Sequence, residues 1–370
     1  MDKKVKKYIE LALRLALKGK GLTSPNPLVG AVIEKDGHIL ATGYHRAAGL
    51  DHAEIVALKK AGEKAKGANL YVNLEPCSTT GRTPPCTEAI INSKIKNVYI
   101  SMIDPNPNHK GRGIKILEKA GIKTNVGLLE DEARLINQPF IKAVTKQLPY
   151  VTLKIAESID GKIASISGNS KWITSLASRR LSRRMRNEVD AILVGSNTVL
   201  KDNPGLNPER FIKAKSFFKV VLDTHLKLKG NERLFRYHSR FPVIIATTKA
   251  SFLKSVNKKE LLKKKNIIIL PVKNKKDMLD LNDLMKKLLY FGITNVIVEG
   301  GTKTSGSFID EGLVDRVIFF IAPKIIGGSC GFSSVGGKGI GKLSEALELE
   351  NVKVRRINDD IYIEGLIHKY

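Results

Sequence analysis

One histidine and two cysteines stand at spacings that suit a catalytic zinc site. His52 precedes a helical pattern, Cys77 follows a buried strand pattern, and Cys86 comes after eight intervening residues. An imidazole nitrogen and two thiolates supply three of the four tetrahedral ligands that zinc prefers. Because no fourth protein ligand stands nearby in the sequence, water can take the remaining position and lose a proton near neutral pH. We therefore predict one zinc ion per chain, in a catalytic site.

Glu54, two residues after His52, adds a proton carrier. At the start of a helix, its carboxylate can lie beside the metal-bound water without binding the metal. His-x-Glu followed by Pro-Cys-x-x-Cys is the arrangement of zinc deaminases that act on bases. This chain departs from it, because eight residues rather than two separate its cysteines. The alternatives are a structural zinc knuckle or two buried thiols near a surface histidine, but structural sites are normally closed by four ligands.

The segment between the cysteines narrows the choice of protein family. Residues 76–86 read Pro-Cys-Ser-x-x-Gly-Arg-Thr-Pro-Pro-Cys. Together with Thr-Ser-Pro-Asn-Pro-x-Val-Gly at 23–30, Gly-Tyr-His at 43–45 and Asp-Pro-Asn-Pro at 104–107, this segment resembles the pyrimidine deaminase half of the bifunctional riboflavin-biosynthesis deaminase–reductases. The resemblance implies a cytidine-deaminase-like α/β/α sandwich in which Asn26 and His45 bind the substrate.

Length and composition limit the classes of protein to which this chain can belong. The 370 residues suggest two domains, and 42% hydrophobic residues allow each an ordinary core. No apolar run reaches the ~18 residues of a membrane span, and no signal-peptide pattern is present. We therefore expect a soluble, cytoplasmic protein with no membrane partner. Two of the three cysteines are committed to the metal, and Cys330 is expected to be a small, at least partly buried thiol.

The net charge of +27 invites a nucleic-acid interpretation. The excess is mostly lysine spread over both halves, and its densest cluster, at 258–265, has no interleaved aromatic residues. We interpret this cluster as a solvated helix face and expect no nucleic-acid partner. The alternative is a basic nucleic-acid-binding protein with a structural zinc, which salt-dependent binding to random RNA would support.

Alternating strand and helix patterns predict an α/β structure throughout. Pro149 marks the boundary between a deaminase domain at 1–147 and a second α/β domain at 148–370. In the first domain, strands are predicted at 28–33, 39–43, 70–74 and 97–102, and helices at 3–18, 52–62, 87–92, 114–120 and 132–145. In the second, strands are predicted at 150–156, 191–195, 219–222, 243–246, 267–270, 295–298 and 317–320, with a basic helix at 179–188.

A glycine-rich segment is the second candidate site. Glu299 and the Gly-Gly-Thr-Lys-Thr-Ser-Gly-Ser run at 300–307 follow the predicted strand at 295–298 and precede a helical pattern. Glycines let backbone amides approach a phosphate, and a helix N-terminus favours negative charge. Taken alone the signal is weak, because glycine turns after strands are common.

Further segments resemble, in order, the reductase half of the same riboflavin-biosynthesis enzymes. They are Lys-x-Ala-x-Ser-x-Asp-Gly-Lys at 154–162, Ser-x-Trp-Ile-Thr at 170–174, Asp-Ala-Ile-Leu-Val-Gly at 190–195 and Thr-Val-Leu-x-Asp-Asn-Pro at 198–204. The resemblance now covers nearly the whole chain. It implies that the second domain is dihydrofolate-reductase-like and uses NADPH.

The resemblance also implies roles for single residues. NADPH contacts are implied at Ala156, Trp172, Thr198, Asp202, Thr224, Gly301, Thr302, Lys303, Thr304, Ser305, Gly306 and Ser307. Substrate contacts are implied at Ser170, Arg186, Leu206 and Glu299. The alternatives are a core aromatic at Trp172, a surface charge at Arg186 and a turn residue at Asp202, but the ordered set of segments argues against them.

The implied substrate is 2,5-diamino-6-ribosylamino-4(3H)-pyrimidinone 5′-phosphate, a small phosphorylated pyrimidine. We expect zinc-bound water, deprotonated by Glu54, to attack the carbon bearing the amino group, so that ammonia leaves. NADPH then reduces the ribosyl group at C1′ to ribityl. Lys154 and Glu299 are candidates for polarising or protonating the opening sugar, and we expect a homo-oligomer. The rival enzyme, a tRNA or nucleoside deaminase, predicts a short Cys-x-x-Cys and no reductase half.

One position departs from the family pattern. A phosphate-binding arginine is implied at a fixed distance after Asp-Asn-Pro-x-Leu, but that position holds Glu209, and Arg210 comes one residue later. A carboxylate would repel a phosphate. Because Pro208 biases Asn207 towards extended backbone, the loop could re-aim the next arginine into the site. We predict that Arg210 is the phosphate ligand; the alternative is that Arg186 holds the phosphate alone.

Overall fold

The computed structural model describes residues 3–80, 84–107, 109–210, 217–264, 267–276, 278–328 and 332–370. These residues fall into two units, one running to Gln147 with Tyr370 added, and the other comprising Leu148–Lys369. Cys330 and residues 81–83, between the metal-site cysteines, lie outside the described residues. Both units are α/β structures, which confirms the predicted fold class.

A mixed sheet forms the centre of the first unit. Its described strands are β1 (Gly30–Lys35), β2 (His38–Tyr44), β3 (Asn69–Leu74), β4 (Asn97–Met102) and β5 (Lys123–Val126). They lie in the order β2-β1-β3-β4-β5, with β1 antiparallel to both neighbours and β3, β4 and β5 parallel. Because β1 and β3 are buried along nearly their whole length, both of their faces are covered.

Helices of the first unit pack closely on this sheet. They are α1 (Lys3–Ala16), α2 (Ala53–Ala61), α3 (Cys86–Asn92), α4 (Arg112–Lys119), α5 (Glu130–Ile136) and α6 (Gln138–Lys146), with 3₁₀ turns at Leu17–Gly19 and Gly62–Ala65. Two glycines allow helices to pack closely on the sheet: Gly30 on β1 makes room for α1, and Gly43 on β2 makes room for α2. A Cβ at Gly30 would lie 2.1 Å from the Ala12 carbonyl oxygen, and one at Gly43 would lie 2.2 Å from that of Ala53. The position of α2 matters because it carries Glu54.

The single closing helix predicted at 132–145 is wrong, because α5 and α6 are separate helices. Asn137 lies between them with its side chain turned to the start of the sheet. Its Oδ1 accepts the Leu28 N–H at 2.8 Å, and its Nδ2 donates to the Leu28 carbonyl at 3.1 Å. Pro139 lies in the first turn of α6, where its missing N–H leaves no intrahelical bond unmade.

The second unit is organised by a larger sheet. The described strands of the whole unit are β6 (Tyr150–Ser158), β7 (Lys162–Ala164), β8 (Ala191–Gly195), β9 (Phe218–Leu222), β10 (Val243–Thr248), β11 (Ile267–Val272), β12 (Asn274–Lys275), β13 (Met278–Leu279), β14 (Asn295–Val298), β15 (Arg316–Ala322), β16 (Phe332–Ser333), β17 (Glu350–Ile357) and β18 (Asp360–Leu366). Among the described residues, the main sheet has the order β11-β10-β9-β8-β14-β6-β15-β18-β17. Neighbours from β11 to β15 are parallel, and the β17–β18 hairpin joins β15 antiparallel.

Helices of the second unit follow several of these strands directly. They are α7 (Leu176–Met185), α8 (Ser196–Asp202), α9 (Lys249–Lys254), α10 (Val256–Lys264), α11 (Leu281–Tyr290) and α12 (Thr302–Asp310), with 3₁₀ turns at Arg186–Glu188, Arg233–Phe235 and Leu343–Glu345. The basic helix predicted at 179–188 begins earlier, because the Ser175 hydroxyl caps it by accepting the Ser178 N–H. Over the ranges described, no helix combines the length and apolar character needed to cross a membrane.

Candidate active sites

Three helix and strand ends bring the predicted metal ligands together. His52 immediately precedes α2, Cys77 lies in the loop after β3, and Cys86 is the first residue of α3. The His52 Nδ1 atom lies 3.2 Å from the Cys86 Sγ and 3.5 Å from the Cys77 Sγ. Tetrahedral zinc, with bonds of about 2.0–2.3 Å, separates such ligand atoms by roughly 3.5–3.8 Å. The three donors therefore fit zinc in chemistry, and the His52–Cys77 distance matches this spacing whereas the His52–Cys86 distance is slightly shorter.

Thiolate character is already built into this cluster. The hydrogen bond from the Cys86 thiol, together with the His52 ring, lowers the pKa of Cys77 to about 4 although burial opposes it. The Cys86 backbone N–H also donates to the Cys77 Sγ at 3.3 Å, at the N-terminus of α3. The same hydrogen bond raises the pKa of Cys86, so without a metal the two thiols share one proton and Cys77 is the thiolate, the form that binds metals.

Glu54 lies beside the cluster in the first turn of α2. Its side chain is buried, and within the described ranges its Oε2 atom has no hydrogen-bond partner. Burial, with the charge of Cys77 as a further cause, raises the pKa of Glu54 to about 7. Buried polar atoms are nearly always hydrogen-bonded, so this oxygen is available to a group bound at the neighbouring His52, Cys77 and Cys86 cluster.

Asn26 and His45 line up beside His52. The His45 Nδ1 lies 3.1 Å from the Asp51 carbonyl oxygen, which can only accept, so Nδ1 carries the proton. The His45 Nε2 then accepts from the Asn26 Nδ2 at 3.1 Å. The His45 and His52 rings meet edge to face with centroids 5.3 Å apart. Both predicted substrate residues are thus near the metal ligands.

Glu75 is a residue of this site that the sequence did not reveal. It is buried and accepts three backbone N–H groups, from Asp104 at 3.0 Å, Gly111 at 2.9 Å and Gly113 at 2.8 Å. These bonds fasten the loop that leads into α4 to the segment just before Cys77. Its place before Pro-Cys was visible in the sequence, but its partners lie some 30 to 38 residues away along the chain.

A cleft of about 1330 Å³ opens at the carboxyl ends of β8, β9 and β14 in the second unit. Single small ligands occupy roughly 300–1,000 Å³, so this cleft has room for two. The helices α8 and α12 begin at its edge, directly after β8 and β14. Ligands of open α/β sheets bind at such an edge, and helix N-termini there favour phosphate.

Most residues predicted from the sequence line this cleft. Those implied for the cofactor are Ala156, Trp172, Thr198, Asp202, Thr224, Gly301, Thr302, Lys303, Thr304 and Ser307. Those implied for the substrate are Ser170, Arg186, Leu206 and Glu299, together with Lys154. The structure therefore brings together segments that are up to about 150 residues apart in the sequence.

Three predicted residues do not line the cleft. Ser305 and Gly306 are buried on the other side of α12, where a Cβ at Gly306 would lie 2.3 Å from the Gly336 carbonyl carbon. Arg210 has an exposed side chain, and its backbone N–H donates to the Asn187 Oδ1 at 3.4 Å. Glu209 does line the cleft and pairs with Arg184 at 2.9 Å.

Trp172 is not a core aromatic, because its side chain is 63% exposed at the cleft. The Arg179 guanidinium lies over its ring, 4.3 Å from the centroid, and the Lys324 Nζ donates to its carbonyl oxygen at 2.8 Å. The Ser170 hydroxyl donates to the Asp202 Oδ1 at 3.1 Å. Trp172 is thus held in place with an open face, as a stacking ligand requires.

Glu299 lies at the centre of a buried charged group in the cleft. Arg186 donates to both of its carboxylate oxygens at 3.0 Å, and the Lys154 Nζ lies 3.7 Å from Oε2. Although burial opposes ionisation, these two cations hold the pKa of Glu299 at about 2. Burial lowers the pKa of Lys154. Glu299 is therefore ionised and held by two cations.

Comparison with known proteins matches both units. The family model of the cytidine and deoxycytidylate deaminase zinc-binding region matches residues 2–102, and the model of the RibD C-terminal domain matches residues 149–363. The riboflavin biosynthesis protein RibD of Aquifex aeolicus is 44% identical over 358 residues, covering 97% of each chain.

Two solved structures share the fold along almost the whole chain. RibD of Acinetobacter baumannii superimposes with a TM-score of 0.88 at 33% identity, covering 98% of this chain and 99% of its own. The diaminohydroxyphosphoribosylaminopyrimidine deaminase/5-amino-6-(5-phosphoribosylamino)uracil reductase of Thermotoga maritima gives a TM-score of 0.84 at 35% identity, covering 98% of both chains.

Proposed function

The chain belongs to the RibD family of bifunctional riboflavin-biosynthesis deaminase–reductases, and we propose that residues 1–147 carry its deaminase and residues 148–370 its reductase. The Thermotoga relative is named for the diaminohydroxyphosphoribosylaminopyrimidine it deaminates and for the phosphoribosylaminouracil it reduces. We assign the same two substrates to this chain. The observation that carries the assignment is the unpaired Glu54 oxygen, buried beside three zinc-ligand atoms.

In the deaminase, His52, Cys77 and Cys86 are the residues that would hold zinc. Zinc bound by three protein ligands lowers the pKa of a water molecule to about 7 and so supplies a nucleophile. Glu54 takes the proton of the attacking water on its free oxygen and passes it to the pyrimidine ring nitrogen. Glu54 then transfers the second proton, from the hydroxyl group on the attacked carbon, to the amino group; the C–N bond breaks, ammonia leaves and the carbonyl forms. Asn26, fixed by its contact with His45, orients the ring.

In the reductase, NADPH supplies the hydride. The first turn of α12 and Thr224 would hold its phosphate groups and ribose, and Trp172 would stack on it. The C1′–O4′ bond of the ribosyl group breaks as the lone pair of the glycosidic nitrogen forms a C1′=N bond, and Lys154 gives a proton to O4′. C1′ is then the carbon that the cofactor would reduce. Glu299 keeps Lys154 and Arg186 in place. This assigns the proton to Lys154 rather than to Glu299, whose low pKa leaves it no proton to give.

The experiment that tests both assignments follows the two reactions separately. Purified protein is incubated with the diaminopyrimidine phosphate, and ammonia release and NADPH oxidation are recorded. We expect ammonia release without NADPH, and NADPH oxidation only after ammonia release or with pre-formed aminouracil. We also expect a higher kcat/KM with NADPH than with NADH. Absence of either reaction at any substrate concentration would overturn the corresponding assignment.

A further inference from the structure

Lys219 is a fully buried lysine in the middle of the second unit. It lies on β9 with no exposed surface, and it is not among the residues that line the cleft. Lysine is almost never fully buried unless its ammonium is paired. The Phe241 ring lies 5.4 Å from its Nζ, so the surroundings are partly apolar. Neither reaction uses this residue directly, so its burial requires another explanation.

The ammonium of Lys219 joins two loops. Its Nζ donates to the Asn207 Oδ1 at 2.7 Å and to the Leu234 carbonyl oxygen at 2.8 Å. Asn207 belongs to the loop after α8 and lines the cleft, whereas Leu234 belongs to the 3₁₀ turn at Arg233–Phe235. The same two segments meet again where the Arg233 N–H donates to the Asn203 Oδ1 at 2.7 Å.

From Asn207 the connection continues into the charged group of the cleft. The Asn207 carbonyl oxygen accepts from the Arg186 Nη1 at 3.1 Å, and Arg186 holds Glu299 through two further bonds. One hydrogen-bonded path therefore runs from Lys219 through Asn207 and Arg186 to Glu299. Each step is between 2.7 and 3.1 Å.

The loop that Lys219 holds adopts an unfavourable backbone conformation. Leu206 has a φ of +55° and Asn203 one of +44°, in the left-handed region that residues other than glycine rarely adopt. Leu206 is nevertheless buried at the cleft. Such a conformation persists only where neighbouring bonds fix it. Burial, with a contribution from the charge of Arg186, lowers the pKa of Lys219 to about 8, so the ammonium form still predominates at neutral pH.

We propose that Lys219 is a positioning residue of the reductase: by holding Asn207 it fixes the 203–209 loop and the Arg186 guanidinium where the phosphorylated substrate binds. This inference rests on the proposed reductase function. A residue that only stabilises the core would not need Asn207, whereas a positioning role requires Lys219 to act through Asn207.

Lys219→Met, which keeps the length of the side chain but removes the charge and the donors, is the first variant. We expect the reductase KM for the aminouracil phosphate to rise about 10-fold or more, the effect of losing a charged hydrogen bond, with kcat changed less than KM. Leu288→Ala, a cavity in the other hydrophobic cluster of this unit, which contains no residue of the loop, is the matched control. It should lower thermal stability without changing KM.

Asn207→Leu and the double variant complete a cycle. If Lys219 acts through Asn207, the KM of the double variant should be no higher than that of the worse single variant. Full additivity, or a wild-type KM in Lys219→Met, would overturn the proposal. Should Lys219→Met fail to fold, Asn207→Leu decides alone, because it leaves the ammonium in place, and an unchanged KM there would equally count against it.

Hydrogen exchange separates this inference from the assignment of the reductase. Backbone amides of residues 203–209 should exchange faster in Lys219→Met than in the wild type or in Leu288→Ala, whether or not the wild type reduces the aminouracil. If the wild type lacks reductase activity but the loop responds, the function is wrong and the positioning contact holds. An unchanged exchange rate in that loop would refute the positioning role.

Discussion

Two buried carboxylates, Glu54 and Glu299, show how surroundings divide roles between identical side chains. Glu299 is saturated by Arg186 and Lys154, and its pKa is held at about 2. Glu54 has an unpaired oxygen, and burial raises its pKa to about 7. A proton carrier must both accept and release a proton, whereas an anchor must stay charged. The first environment therefore suits an anchor and the second a carrier.

Glu54→Gln should abolish deamination while keeping the metal. The amide has the same shape but cannot shuttle a proton, so we expect ammonia release to fall by at least about 100-fold, the lower range of general acid–base contributions. Zinc content should stay near one per chain, and reduction of pre-formed aminouracil should be unchanged. Glu299→Gln is the reciprocal control, losing reduction and keeping deamination. Near-wild-type ammonia release from Glu54→Gln would show that another group carries the proton.

The cleft indicates which arginine of the reductase binds the substrate phosphate. The sequence predicts Arg210, but its side chain is exposed outside the cleft, whereas Arg183 lines the cleft one helical turn before Arg186. Glu209, which would repel a phosphate, is paired with Arg184. Arg186, the alternative drawn from the sequence, already holds Glu299 and the Asn207 carbonyl, so we propose Arg183 from among the arginines that line the cleft.

Arg183→Ala should raise the reductase KM about 10- to 150-fold, the equivalent of roughly 1.5–3 kcal/mol for a charge-assisted hydrogen bond. Arg210→Ala, the matched control, should change it by less than about 3-fold, within the range of exposed charges. Deaminase KM should be unaffected in both. The reverse ranking of the two variants would restore the prediction made from the sequence.

At the scale of elements, the sequence predicted the strands well and the helix ends less well. Strands β8 and β14 are almost continuous apolar runs, and β3 and β4 are interrupted only by Asn73 and Ser101, so burial on both faces makes them visible without knowledge of their neighbours. The break at Asn137 was not visible, because it depends on hydrogen bonds to Leu28, 109 residues away. The β17–β18 hairpin was missed because β17 is exposed along nearly its whole length and lacks an apolar pattern.

The same limit applies to the glycine-rich segment at 300–307. Its sequence suggested a phosphate loop throughout, yet only its first turn and Ser307 face the cleft. The helical repeat places Ser305 and Gly306 on the buried face of α12. Position 306 must be glycine because the backbone of Gly336 leaves no room there for a Cβ. The sequence shows which residues are small, but not which face of the helix they occupy.

Gly306→Ala should destabilise the second unit. Its Cβ would lie 2.3 Å from backbone atoms of Gly336 and Gly337, and overpacking costs about 1–3 kcal/mol. The gain in helix propensity is at most about 1 kcal/mol, so the net change should be unfavourable. Gly301→Ala, whose Cβ would have its nearest neighbour at 4.0 Å, is the control. Urea unfolding should show a lower midpoint only for Gly306→Ala; equal midpoints would contradict this packing argument.

At the scale of the whole molecule, part of the net charge of +27 is concentrated at the cleft of the second unit. The cleft is lined by nine lysines and arginines against four acidic residues, so it attracts anions such as a phosphorylated substrate and a dinucleotide. This concentration was not readable from composition, because the contributing residues lie between 154 and 303 and meet only in the fold. The predicted homo-oligomer and cytoplasmic location stay predictions.

Metal dependence should separate the two units of the molecule. Among the described residues, the His52, Cys77 and Cys86 group is the one cluster of such side chains able to hold a metal, and every residue lining the cleft belongs to the second unit. Because these ligands come from the starts of α2 and α3 and the loop after β3, a bound zinc ion would link three segments of the first unit, and its binding free energy would add to the stability of that unit.

Chelation should therefore abolish ammonia release and lower the melting temperature of the first unit, while NADPH oxidation with pre-formed aminouracil continues at its original rate. Added zinc should restore ammonia release in proportion to the metal bound. His52→Ala, which lacks one ligand at the outset, is the control in which chelation should change neither activity further. Loss of both activities in parallel on chelation would mean that the reductase also depends on the metal, and that the two reactions are not divided between the units as assigned.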